Sequence, residues 1–140
     1  MCDKAGIYVM AETNLESHGT FQKCGVIDTS CNVPGSIPQW REVVIDRARN
    51  NYETFKNHTA ILFWSLGNES YAGDDIEDMN KYFKEKNDGR LVHYESSFYN
   101  RAYEDTISDV ESRMYARPEE VENYLDNSPK KPYLLCEYMH

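Results

Sequence analysis

The sequence predicts an α/β fold built on parallel strands, and three observations carry that prediction. Short apolar runs alternate with longer segments of helical periodicity along all 140 residues. Polar residues gather just after the C-terminal ends of those runs: Glu12, Asn14, Asn68, Glu69, Glu95, Tyr115 and Glu137. No G-x-G-x-x-G or G-x-x-x-x-G-K-S/T follows any run, which removes support from a nucleotide-binding sheet. Repeated strand–helix units suit either an open doubly wound sheet or a (β/α)8 barrel, and in a barrel the C-terminal rim of the strands is where active sites are built.

The first strand is expected in Gly6-Ile7-Tyr8-Val9-Met10, running into Ala11-Glu12-Thr13-Asn14. A long polar loop with Gly19, Gly25, Pro34 and Gly35 follows; such loops often carry function. The spacing of Trp40, Val44, Ala48, Tyr52 and Phe55 predicts a helix over 38–56, with Ser36 as a cap ahead of Pro38. The second strand is 60–66, with Trp64 assigned to a barrel core. A helix over 75–86 carries Ile76, Met79 and Phe83 on one stripe, and Asp74 and Asp75 suit its positive end. The third strand is 91–94. Residues 103–109 fit neither pattern, and a fourth short strand is placed at 109–114. Pro118 opens a short helix carrying Val121, Tyr124 and Leu125, which Asn127-Ser128-Pro129 breaks. The fifth strand is 133–136.

The length is that of one ordinary domain. A net charge of -9 argues against nucleic acid and anionic membranes as partners, because phosphates are repelled. No stretch is apolar for long enough to span a bilayer. Residues 1–10 show no leader pattern, which favours the cytoplasm. Cys2, Cys24, Cys31 and Cys136 have no C-x-x-C or zinc spacing and are read as reduced thiols. The sequons at Asn57 and Asn68 are read as chance matches.

Two apolar runs end in a glutamate: Ile61-Leu62-Phe63-Trp64-Ser65-Leu66-Gly67-Asn68-Glu69 and Tyr133-Leu134-Leu135-Cys136-Glu137. A glutamate after a strand is ordinarily a surface residue. Here each follows a strongly apolar strand that fixes its position, and two such ends occur in one chain. Glycoside hydrolysis with retention needs two carboxyl groups roughly 5–5.5 Å apart, one as nucleophile and one as acid/base. In Glu16-Ser17-His18, a carboxylate and an imidazole two residues apart on extended backbone would point the same way and share a divalent cation; the plain alternative is a loop histidine bonded to a neighbour. Tyr115 either packs or hydrogen-bonds a rim carboxylate.

Four strings occur in order: Ala11-Glu12-Thr13-Asn14-Leu15-Glu16-Ser17-His18-Gly19, Trp64-Ser65-Leu66-Gly67-Asn68-Glu69-Ser70, Met114-Tyr115-Ala116 and Leu135-Cys136-Glu137-Tyr138-Met139-His140. Together they closely resemble the catalytic barrel of glycoside hydrolase family 2 β-galactosidases; β-glucuronidases and β-mannosidases of that family resemble the chain less. The resemblance implies a partial (β/α)8 TIM barrel, about strands 3 to 7, with strands one, two and eight and the flanking β-sandwich domains outside residues 1–140. It implies Glu69 as general acid/base, Glu137 as nucleophile, Asn68 on the sugar 2-hydroxyl, Tyr115 on the nucleophile and His140 on the sugar. Glu16, His18 and Glu69 match the family's Mg²⁺ ligands, and the implied substrate is a β-galactoside such as lactose. Ala11 departs from the family pattern, where many members carry an acidic residue. Five of eight strands leave two open edges, so the segment alone is expected to be poorly stable and to need a complementing chain, with a sugar-binding remnant as the weaker alternative.

Overall fold

A computed structural model describes residues 1–139; His140 lies outside them. A one-turn helix, α1 (Cys2–Ala5), precedes strand β1 (Val9–Glu12). There follow α2 (His18–Cys24), α3 (Arg41–Phe55), β2 (Ile61–Ser65), α4 (Asp74–Glu85), β3 (Leu91–His93), two 3₁₀ turns, α5 (Glu104–Ile107), β4 (Glu111–Met114), α6 (Pro118–Asp126) and β5 (Tyr133–Glu137). The chain is therefore the mixed α/β fold that the alternation predicts, with every strand pairing parallel. No helix among the described residues is long and apolar enough to cross a membrane.

The strands form two sheets, β1-β2-β3 and β4-β5. Register places Ala11 beside Trp64 beside Val92, and Glu12 beside Ser65 beside His93. Because side chains alternate across a strand, these two rows face opposite sides of the sheet. The Trp64 row faces the helices. Trp64, 1% exposed, lies among Tyr52 of α3 and Phe83 of α4, with ring centroids 5.4 Å away in each case. Its indole N–H donates to Asp88 at 3.1 Å, and the Arg90 guanidinium sits 5.1 Å from its ring. Val44 and Ala48 of α3 and Ile76, Met79 and Phe83 of α4 complete this core. Trp64 is thus a core residue of the sheet–helix layer, which corrects its assignment to the barrel interior.

On the opposite face the Ser65 row is polar. The Ser65 hydroxyl is 3.2 Å from the Glu12 carboxylate, His93 Nδ1 is 3.0 Å from Ser65 Oγ, and His93 Nε2 is 2.7 Å from Ser112 Oγ on β4. One direction of donation satisfies the row: Ser112 donates to Nε2, Nδ1–H donates to Ser65, and Ser65 donates to Glu12. This row also spans the gap between the two sheets. A second span comes from the segment ahead of β4. Asp109 accepts the Val92 N–H at 2.6 Å and donates its own N–H to the Val92 carbonyl at 2.9 Å, while the Ser108 hydroxyl accepts the Tyr94 N–H at 3.1 Å. One carboxylate and one hydroxyl thereby take the place of ladder bonds at the edge of β3.

Several local expectations change. The helix predicted from residue 38 begins at Arg41, with Trp40 at its N-cap and no side-chain cap bond. Ser36 instead accepts the Asp74 N–H at 3.0 Å, so it caps α4 across the chain. The polar loop after the first strand contains α2, and residues 101–107 are helical turns. Cys24 and Cys31 form a disulfide with Cα atoms 6.3 Å apart, which corrects the reading of four reduced thiols; Cys2 and Cys136 are free. The turn that joins the pair is closed by Asn32, whose amide donates to the Gly25 carbonyl at 2.7 Å.

Two predictions follow from this arrangement. Asp109→Ala leaves the buried Val92 N–H without its acceptor, a loss of about 1–3 kcal/mol; amide exchange at β3 should accelerate about 5- to 150-fold, and unchanged exchange would refute the edge role. The second concerns His93, which burial holds neutral down to about pH 4. Between that value and the ordinary histidine range near 6.5, the unfolded chain binds a proton that the folded chain does not. Stability therefore rises with pH across this window and falls as pH drops through it, by up to about 3 kcal/mol. In full-length protein, urea midpoints at pH 5 and pH 7 should differ less for His93→Gln than for wild type.

Candidate active site

The site is built where β1 and β2 run out of their ladder. Gly67 has φ 146°, and a Cβ there would lie 2.6 Å from the Leu15 carbonyl oxygen. Only glycine lets the two segments pass this closely. The approach lets Asn68 donate its N–H to Leu15 at 2.8 Å and pairs Glu16 with Asn68 as a parallel bridge beyond the sheet. The two rim segments thereby extend the β1–β2 pairing.

Glu69 follows with φ 45°, a left-handed conformation uncommon for glutamate. Its N–H donates to Glu95 Oε1 at 2.7 Å. Ser70 donates its N–H to the Tyr94 hydroxyl at 3.2 Å, and that hydroxyl donates to the Ser70 carbonyl. The Ser17 hydroxyl joins the Ser70 hydroxyl at 2.7 Å and donates to the Val33 carbonyl.

His18 is the first residue of α2, so the extended spacing expected of Glu16 and His18 does not occur. The helix nevertheless brings His18 Nδ1 to 2.9 Å from Glu69 Oε2. The two atoms are close but not aligned for a hydrogen bond, and Nδ1 is buried without another partner among the described residues. An imidazole nitrogen and a carboxylate oxygen facing one another in this way suit a divalent cation. Glu16 stands on the bridge segment, and no three His, Cys, Asp or Glu side chains among the described residues cluster closely enough to hold a metal. The structure therefore brings His18 and Glu69 together.

Across the rim, Tyr115 follows β4 with φ 52° and donates its hydroxyl to Glu137 Oε2; its N–H donates to the Glu137 carbonyl. That hydrogen bond to Glu137 raises the Tyr115 pKa, and the charges of Glu137 and Glu69 add to the shift. Crowding by protein atoms raises the Glu12 pKa; the Ser65 hydrogen bond opposes this, and the charges of Glu137 and Glu16 reinforce it. Asn68 is half-buried, with its backbone fixed to Leu15. The predicted sugar contact at His140 lies outside the described residues.

Sequence reasoning placed Glu95 on the rim but gave it no role. It is 3% exposed, and burial pushes its pKa up to about 7. Its position after the β3 run repeats that of Glu69 after β2, which is the signal that marks it.

The chain matches the family described as "Glycosyl hydrolases family 2, TIM barrel domain" over residues 1–140. It is 67% identical over 140 residues to the "Beta-galactosidase large subunit" of Lactobacillus helveticus, covering all of this chain and 22% of that protein. The Lactobacillus acidophilus protein of the same name is 64% identical over the same length, with the same coverage. A "Beta-galactosidase" of Halalkalibacterium halodurans is 54% identical over 140 residues, 14% of its length. The chain thus spans about a fifth or less of the curated relatives it matches. With the rim geometry and a family match along every residue, this chain belongs to glycosyl hydrolases family 2, within the TIM barrel domain.

Proposed function

We propose that this chain carries the acid/base and the nucleophile of a retaining β-galactosidase, and that it contributes about strands 3 to 7 of the barrel. The observation that carries the reading is the hydrogen bond from the Tyr115 hydroxyl to the Glu137 carboxylate at the rim. Double displacement needs one carboxylate as nucleophile and a separate carboxyl as acid/base, and Glu137 and Glu69 reach the rim from different strands.

In this reading Glu137 attacks the anomeric carbon while Glu69 protonates the leaving oxygen. A covalent galactosyl–Glu137 ester forms, and the aglycone departs with the proton. Glu69 then takes a proton from water, the water oxygen attacks the anomeric carbon, and the Glu137 ester bond breaks with net retention. Tyr115, kept protonated, supports the carboxylate of Glu137 as it forms and leaves the ester. Asn68 and His140 are assigned to the sugar hydroxyls. The substrate is a β-galactoside such as lactose, and the remaining barrel strands and β-sandwich domains of a longer protein complete the site.

His18 and Glu69, with Glu16 as a third ligand, would hold Mg²⁺. Such an ion would tune the acidity of Glu69 rather than activate water.

The roles are separable in full-length protein. Glu137→Gln should lower turnover on the order of 10⁴-fold or more, the scale of removing a covalent nucleophile. Glu69→Ala should cost about 10²–10⁴-fold on substrates whose leaving group needs a proton. With azide and an activated aryl galactoside, Glu69→Ala should yield the β-galactosyl azide and Glu137→Ala the α-galactosyl azide, distinguished by NMR. Reversed products would exchange the two assignments, and full turnover in Glu137→Gln would end the reading.

A further inference from the structure

We infer that the Tyr94–Glu95 dipeptide is a positioning clamp that aims the Glu69 carboxyl, with Glu95 as its principal member. The inference rests on the reading of Glu69 as acid/base given above.

The last backbone bond between β2 and β3 is the Leu66 N–H on the His93 carbonyl, at 3.1 Å. Beyond it the β2 exit turns away, and the donors at 69 and 70 have no strand opposite them. The two residues that follow β3 supply acceptors from their side chains instead. Glu95 Oε1 accepts the Glu69 N–H at 2.7 Å, and Tyr94 Oη accepts the Ser70 N–H at 3.2 Å while donating to the Ser70 carbonyl. A single turn is thus held at three backbone polar groups of two adjacent residues.

The clamp is itself rigid. Tyr94 is 0% exposed and Glu95 is 3% exposed. The Tyr94 N–H is tied to the Ser108 hydroxyl at 3.1 Å, and the Ser96 hydroxyl donates to Glu95 Oε1 at 2.8 Å. Glu69 at φ 45° occupies a conformation that costs roughly 1–2 kcal/mol for a side chain with a Cβ. The Glu95 carbonyl-type oxygen accepts that N–H in either protonation state and holds the conformation through a bond of 2.7 Å. Releasing the N–H frees the backbone of Glu69 to relax, which moves its carboxyl away from the leaving oxygen. A displacement of about 1 Å is worth roughly 10²-fold in rate.

The test compares leaving groups in full-length protein. For Glu95→Ala, kcat/KM for lactose should fall about 10²-fold, because its leaving group requires the proton from Glu69. For dinitrophenyl β-galactoside, whose phenol departs unprotonated, kcat/KM should change less than about threefold. Glu95→Gln keeps an acceptor oxygen and should restore most of the lactose activity. If Glu95→Ala does not accumulate as folded protein, Tyr94→Phe removes only the hydroxyl and should shift the same ratio about tenfold in the same direction. Equal losses on both substrates, no loss on either, or failure of Glu95→Gln to restore lactose activity would each overturn the clamp. Failure of the functional reading looks different: the azide products would not assign Glu69 and Glu137, whatever the behaviour of the Glu95 variants.

Discussion

The rim depends on how closely the exit of β2 can pass the Leu15 carbonyl. A Cβ at position 67 would sit 2.6 Å from that oxygen and 2.9 Å from the Leu15 Cβ. Backbone atoms cannot yield by that much without separating the segments. The contact is what allows Asn68 to bond Leu15, and it sets where the chain leaves the ladder. His18 meets Glu69 only because the segment running from Leu15 into α2 is pinned to the segment running from Gly67 into the turn. One glycine therefore fixes the relative height of two groups that arrive from different strands.

The sheet divides its labour by face. The helix side is apolar and close-packed around Trp64, where stability comes from area removed from water. The other side carries the row Glu12, Ser65, His93 and Ser112, each bonded to the next. Buried polar atoms are costly unless satisfied, and here satisfaction also links sheets that share no ladder between β3 and β4 among the described residues. The row ends at Glu12, whose carboxyl feels Glu137 and Glu16. Stability and electrostatics at the rim are thus joined through one line of hydrogen bonds.

Much of this was legible in the sequence because its causes are local. Apolar runs gave β2 to β5 within two residues, β1 starts three residues later than expected, and the Ile76, Met79, Phe83 stripe gave α4. Glu69, Glu137 and Tyr115 are legible because each lies at or within four residues of a strand's C-terminal end. What escaped depends on partners distant in sequence. Ser36 looked like the cap of its own helix but serves Asp74. Trp64 was placed on the wrong side because a buried parallel strand is apolar on both faces, so hydrophobicity alone does not tell them apart. The Cys24–Cys31 pair has no motif, and its closure comes from a turn built by Asn32. Glu95 was visible as a rim glutamate, but its task is defined by a backbone N–H 26 residues earlier.

The two rim glutamates are held by different means, and the difference suits the roles proposed for them. Glu137 is gripped at its carboxylate by the Tyr115 hydroxyl, while the same tyrosine's N–H bonds the Glu137 backbone carbonyl. A nucleophile must present one oxygen in one direction, and a neutral donor on its partner oxygen defines that direction without competing for the anomeric carbon. Glu69 is gripped chiefly through its backbone, by Glu95 on its N–H, with the next residue bound by Tyr94. An acid/base must both give and take a proton, so a fixed donor on each carboxyl oxygen would oppose one half of its cycle. Holding the main chain leaves the carboxyl with no hydrogen-bond donor fixed on it among the described residues, and His18 lies beside it. A restrained head on one strand and a restrained backbone on another are therefore consistent with one group that bonds to carbon and one that exchanges protons.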